Sequence, residues 1–236
     1  MIEAMGKLSL VRHGQASFGA ADYDQLSPLG AQQCRLLGAY WRGQQRRFAA
    51  VLTGTLKRHA QSLAAIREGY GEGADAALPA PLVLPGLDEY DSEAVIRAYR
   101  PGETLERPRN AAEVKQYFRL LRDGLQAWIA GRIEPEGMPR HADFVAGVVA
   151  ALDQVRELAA ERGGAELLIV SSGGPISTAV AHVLGAPQEA AVELNLQLRN
   201  SALTEFQFGA RGHQLMSFNH LPHLEAAGQA GLASYA

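Results

Sequence analysis

Hydrophobic residues recur along the chain with two different periods. Short, largely apolar runs from Lys7 to Val11, Ala49 to Thr53 and Leu167 to Val170 end in polar turns, the pattern of strands buried on both faces. Between them apolar residues return at steps of three and four, which marks helices. Pro28 to about Arg42 has Ser27 as a cap, Pro28 in its first turn and a stripe of Leu29, Leu36, Leu37 and Tyr40. Another helix is predicted from Leu56 to about Gly69. Two long amphipathic helices follow. One runs from Asn110 to Gly131 on Val114, Phe118, Leu121, Leu125 and Trp128, and the other carries Phe144, Val148, Leu152 and Val155. Pro175 to Leu184 predicts a helix that stops at Gly185. Gly71 to Pro85, rich in Gly, Ala and Pro, predicts a loop, and Arg100 to Arg109 an exposed excursion. Leu203 to Phe208 and His213 to Phe218 predict a terminal hairpin. Strands alternating with helices imply an α/β fold, a three-layer sandwich with a mostly parallel central sheet flanked by helices.

Composition narrows the function. The chain has 236 residues, 47% of them hydrophobic, with a formal charge of -3. That length suits one domain, 1–236, with a modest insertion. The near-neutral balance argues against nucleic acid as a partner, so any attraction for anions is local. The cluster Arg42, Arg46 and Arg47 reads as a solvated helix end. The single cysteine, Cys34, forms no intrachain disulfide and fits a reducing compartment. The first residues resemble no signal peptide, and no segment approaches the roughly 20 apolar residues of a membrane span. A cytoplasmic protein without a membrane partner is expected. No cofactor motif stands out. His213, His220 and His223 match no zinc spacing, so no metal is expected.

Three strand ends carry the polar residues that suggest chemistry. LVRHGQ places Arg12, His13, Gly14 and Gln15 directly after the first strand. VLTGTLKRHAQS delivers Arg58 after the second. LIVSSGGPIST sets Ser172 and Gly173 before a helix, whose N-terminal N–H groups and dipole favour an anion. A phosphate monoester carries close to two negative charges, and guanidinium forks match its oxygens. Between two guanidiniums, His13 is held neutral and is a good nucleophile toward phosphorus. The leaving oxygen needs a proton. LPGLDEYDSEAV offers Asp88, Glu89, Asp91 and Glu93 for it, and the pattern alone does not choose among them.

These residues resemble the histidine phosphatase superfamily, also called phosphoglycerate mutase-like. LVRHG is similar to its signature through Arg12, His13 and Gly14. LSPLGAQQ resembles a second segment through Leu26, Ser27, Gly30 and Gln33, and TLKRHAQS a third through Arg58. LDEY resembles the stretch carrying the proton donor, with Glu89 the best match. The resemblance implies a mixed sheet flanked by helices with a helical cap insertion, here roughly 90–140. It implies a phosphohistidine on His13, phosphate held by Arg12 and Arg58, and protonation of the leaving group by Glu89. Gly14, Gln15, Ser172 and Gly173 would complete the substrate cradle.

Two positions depart from that pattern. Where the family usually has a second histidine after the late strand, this chain has Ser172. Where it often has an asparagine after the signature, Gly19 stands. Losing a charge-assisted bond costs roughly 1.5–3 kcal/mol, on the order of ten- to a hundredfold in rate. His59 adjoins Arg58, but successive helical residues point about 100° apart, so both are not expected to face one phosphate. His220 and His223 depend on how the tail packs. The leading expectation is a phosphatase acting on a small phosphorylated molecule. A phosphoglycerate-type mutase is the alternative in the same chemistry, and a non-catalytic phospholigand-binding module, with Ser172 marking a degraded site, is the alternative outside it. Helical cap surfaces are also compatible with a homodimer.

Overall fold

The computed structural model describes residues 6–17, 24–102, 110–161 and 165–235. The expected departure at Gly19 and most of the Arg100 to Arg109 excursion lie outside them. In chain order the elements are β1 (Gly6–Arg12), α1 (Pro28–Gly43), β2 (Ala50–Thr53), α2 (Lys57–Tyr70), the short α3 (Ala74–Ala77), β3 (Pro81–Val83) and α4 (Ser92–Tyr99). Then come α5 (Ala111–Ile129), α6 (His141–Ala160), β4 (Glu166–Ser171), α7 (Gly173–Leu184), α8 (Gln188–Gln197), β5 (Leu203–Gly209), β6 (Gly212–His220) and α9 (Pro222–Glu225).

Among the described residues the strands form one six-stranded sheet in the order β3-β2-β4-β1-β5-β6. β3, β2, β4 and β1 pair in parallel, while β5 runs antiparallel to β1, and β6 antiparallel to β5. Side chains alternate between the two faces of a strand, so the unbroken apolar run of β4 feeds two cores. Leu167 and Ile169 face α6 and α7, packing with Val148, Leu152, Ile176 and Val180. Leu168 and Val170 face α1 and α2, packing with Leu37, Trp41, Leu63 and Ile66. Each of these fully buried side chains contributes about 1.5–3 kcal/mol relative to exposure. A third cluster joins Val95 and Ile96 of α4 to Leu121, Leu125 and Trp128 of α5 and Val192 of α8.

The crossovers create the site. The chain leaves β1 toward the α1–α2 face and leaves the neighbouring β4 toward the α6–α7 face. A crevice opens where adjacent parallel strands send their connections to opposite sides, and ligands bind at such points. The RHG turn and the SSGG turn stand at that crevice, in register as Arg12 opposite Ser171.

Most predicted elements appear within a residue or two of their expected bounds. The stretch Gly71 to Pro85 differs, because it contains α3 and the edge strand β3. β3 is short and its Leu82 and Val83 are 41% and 51% exposed, so it carries no burial pattern to read. Arg46 also differs from the solvated reading of its cluster. It lies between Glu166 and Glu205, with its Nε donating to Glu166 at 2.6 Å and its Nη2 to Glu205 at 2.7 Å. No helix among the described residues is long and apolar enough to cross a membrane.

Candidate active site

His13 is fixed through its backbone and its ring. Its N–H donates to Ser171 O at 2.8 Å, and its carbonyl accepts from Ser201 N at 3.1 Å. Its Nδ1 lies 2.7 Å from Gly14 O. A carbonyl only accepts, so Nδ1 carries the proton and Nε2 keeps the lone pair. Burial drives the His13 pKa well below 6.5, and Arg12, Arg58 and His59 lower it further. The ring stays neutral near physiological pH. Gly14 is held as firmly: its N–H donates to Ser62 Oγ at 3.1 Å, and a Cβ there would lie 2.3 Å from Gly30 O. Only glycine permits that approach between turn and helix.

The segment LSPLGAQQ turns out to hold this turn. Ser27 caps α1 by accepting from Gly30 N and also donates to Gln15 Oε1 at 2.8 Å. Gln33 Oε1 accepts from Gln15 N at 2.9 Å. Gln15, expected beside substrate, therefore directs its carbonyl oxygen into the support of the turn.

The two arginines arrive from different elements. Arg12 ends β1, and its Nη1 donates to the carbonyls of Leu198 and, at 2.8 Å, of Tyr235. Arg58 sits in the first turn of α2 and is 6% exposed. Its Nη1 donates to Asp24 Oδ1 at 2.9 Å, and the other carboxylate oxygen accepts from Lys57 N at 2.9 Å. Leu56, the formal cap, offers no side-chain bond, so Asp24 both orients Arg58 and caps α2 from outside the helix. Removing it takes away a negative charge, but it also uncaps α2 and frees the guanidinium to leave its station. Asp24→Ala is therefore expected to cost about 1–3 kcal/mol in urea titrations and to weaken binding of inorganic phosphate roughly tenfold by calorimetry. Phosphate affinity equal to wild type would show that Arg58 holds its place without Asp24.

The structure separates the four candidate carboxylates. Asp91 caps α4, accepting from Glu93 N and Ala94 N at 2.9 and 3.0 Å. Glu93 pairs with Arg97 on an exposed helix face. Asp88 is occupied by Thr55, from N at 2.6 Å and from Oγ1 at 2.5 Å. Glu89 faces the crevice, with both its oxygens 3.1 Å from Gly174 N at the start of α7. Burial raises its pKa, opposed by the Gly174 N–H and by Arg58 and Arg12. A Cβ on Gly174 would lie 2.1 Å from its Oε1, so a larger residue there would displace the carboxylate.

Gly173 also borders the cradle, since a Cβ there would stand 3.6 Å from Arg12 Nε. Ser172 is fully buried, and its Oγ lies 2.7 Å from His59 Nε2. The His13 and His59 rings lie 6.0 Å apart. The Arg58 guanidinium turns to Asp24 and the His59 ring to Ser172. His220 and His223 are engaged elsewhere, with Ser217 and Ser201. Among the described residues no three His, Cys, Asp or Glu side chains cluster to hold a metal ion.

Near Glu89 a narrow crevice is lined by Tyr90, Trp128, His141, Phe144, Gly174 and Asn195. Asn195 Nδ2 donates to the Tyr90 hydroxyl at 2.5 Å and anchors that ring. Sequence reasoning missed Asp24, Asn195 and Ser62 as parts of this site. Their roles come from contacts across the fold and leave no local pattern.

A neutral imidazole under the influence of two guanidiniums, at the strand ends of a sheet covered on both faces, is an arrangement suited to an anion. The family model of the histidine phosphatase superfamily, branch 1, matches residues 8–221, and the chain belongs to that superfamily. Solved structures share the fold. The phosphoglycerate mutase from Bacillus anthracis str. Sterne has a TM-score of 0.63 at 16% identity, over 94% of this chain and 96% of that one. A phosphoserine phosphatase from Entamoeba histolytica gives 0.58 at 20% identity, over 93% and 99%. An alpha-ribazole phosphatase from Shigella flexneri gives 0.60 at 19%, over 91% and 96%. Among curated proteins no significant sequence match is found.

Proposed function

We propose that the protein is a phosphatase that hydrolyses a small phosphorylated substrate through a phosphohistidine on His13. The observation that carries this reading is the Nδ1–Gly14 O bond, which leaves Nε2 as the nitrogen with a lone pair beside both guanidiniums. Nε2 attacks phosphorus, and the bond from phosphorus to the ester oxygen breaks. The Glu89 carboxylic acid gives its proton to the departing oxygen. Water then attacks the phosphohistidine, the Glu89 carboxylate accepts a proton from it, and phosphate leaves with His13 neutral again. Arg12, Arg58 and the N–H groups at the start of α7 stabilise the charge spread over the transferring oxygens.

The third cluster, built on α4, α5 and α8, acts in this reading as the cap, and its aromatic residues border the leaving-group side beside Glu89. A single domain carrying a cap over roughly 90–140 is the matching organisation. The experiment is to incubate the protein with a labelled aryl phosphate and quench it. Vanadate-sensitive release of inorganic phosphate, with label on the protein that acid removes, is expected. Phosphate binding by calorimetry without turnover or label would overturn the enzyme reading in favour of a phospholigand-binding module. Transfer of label between positions of phosphoglycerate, in place of release, would mark a mutase.

A further inference from the structure

Ser172 occupies the N-cap position of α7, yet its hydroxyl makes no capping bond. A serine there ordinarily accepts from the second or third N–H of the helix. Here Gly174 N is taken by Glu89, and the serine oxygen bonds His59 Nε2 in a fully buried contact. The pair also stands beside the nucleophile. His13 N bonds Ser171 O, so His13 and Ser172 follow one another at neighbouring strand ends, and the two imidazole rings are 6.0 Å apart.

The direction of the proton follows from the surroundings of His59. Burial, and next to it Arg58, lower its pKa to about 3, so the ring carries one N–H only. Among the described residues Nδ1 has no hydrogen-bond partner. The Asp88 oxygen is 3.9 Å away, beyond hydrogen-bond reach, and both Asp88 oxygens are held by Thr55. A buried orphan N–H is costlier than an orphan lone pair, so the proton resides on Nε2. His59 then donates to Ser172, and the serine hydrogen is released to point at an anion. A chain of donors polarises along its length, which strengthens the last bond.

We propose that His59 and Ser172 form a single two-step donor to the transferring phosphoryl group, with Ser172 as the contact and His59 as its positioning residue. The proposal rests on the phosphatase reading above. In it, the imidazole missing from the β4–α7 turn is supplied from α2 and acts through the serine. Such a donor matters most where phosphoryl oxygens crowd the cradle, in the transition state, so it should move vanadate affinity and kcat more than KM.

The test is a double-mutant cycle on vanadate inhibition and kcat, with Ser172→Ala, His59→Leu and the pair combined. Each single change should weaken vanadate and lower kcat by about ten- to a hundredfold, and the double variant should be no worse than the worse single one. His59→Gln sets an amide N–H near the place of Nε2 and should recover most of the loss, whereas His59→Asn, whose amide stops short at the place of Nδ1, should not. This second comparison stands even if His59→Leu fails to fold. Losses that multiply in the double variant would overturn the proposal, as would equal affinity in the glutamine and asparagine variants. Acid-stable label on Ser172 would make the serine a nucleophile and overturn it too. Absence of turnover and label in the wild type would instead sink the phosphatase reading itself.

Discussion

Alanine in place of His13 should leave a protein that still binds phosphate but turns over substrate at least about 10⁴-fold more slowly. The two halves of this expectation have separate causes. Phosphate is held by charge, and Arg12 with its carbonyl contacts and Arg58 with Asp24 are anchored independently of the imidazole. Phosphate affinity by calorimetry should thus stay within about threefold of wild type. Vanadate behaves differently, because it mimics the transition state by adding a bond from the nucleophile, and its inhibition should weaken far more than phosphate binding. Loss of the Nδ1–Gly14 O bond costs only about 0.5–1.5 kcal/mol, beyond the packing lost around a ring that is 3% exposed, so a folded variant is expected. Single-turnover label should be absent. Undiminished hydrolysis in this variant would end the proposed mechanism, whatever the fold.

The parts of this site that could be read from sequence share one property: each is announced by a polar residue where a buried strand stops. Arg12 and His13 interrupt an apolar run, and the SSGG turn interrupts another. Arg58 follows a strand by a single helical turn. Asp24 gives no such signal, since an aspartate in a polar stretch reads as a turn until Arg58 and the α2 N–H groups are seen against it. His59 gives no signal for a related reason, because its bond to Ser172 joins α2 to the β4–α7 turn across the fold. The fold divides in the same way. β4 declares itself by its unbroken apolar run and α6 by its period, while β3 is too short and too exposed to do either. Among the carboxylates, resemblance singled out Glu89, whose oxygens turn to the start of α7, whereas Asp88, Asp91 and Glu93 are bound by Thr55, by the α4 N-terminus and by Arg97.

Glu89→Gln is expected to split substrates by their leaving groups. An amide cannot give up a proton, so an alkyl phosphate, whose alkoxide must be protonated as it departs, should lose about 10²–10⁴-fold in kcat/KM. A nitrophenyl phosphate leaves as a stable anion and should lose far less. The pH dependence follows from the burial that raises the Glu89 pKa above 4.5. The acid form is the active one, so wild-type activity on the alkyl ester falls as pH rises through that raised value, and the variant lacks this basic limb. His13 adds no loss near 6.5, because its own pKa lies well below that. Stability changes with pH in the same direction as activity. Between the unfolded pKa and the raised folded one, the native state holds the proton more tightly, so this contribution to stability is present at low pH and fades as pH rises. Glutamine is never ionised in the crevice and keeps an oxygen to accept from Gly174 N. The variant should therefore gain stability over wild type at neutral pH, with the difference disappearing below about 4.5 in urea titrations. Equal losses for alkyl and aryl substrates would deny Glu89 the role of acid. A neutral-pH stability unchanged from wild type would mean that the buried carboxylate is ionised without penalty. A site that keeps a carboxylic acid buried for its proton gives up stability to do so, and glutamine should return that stability as it removes the acid.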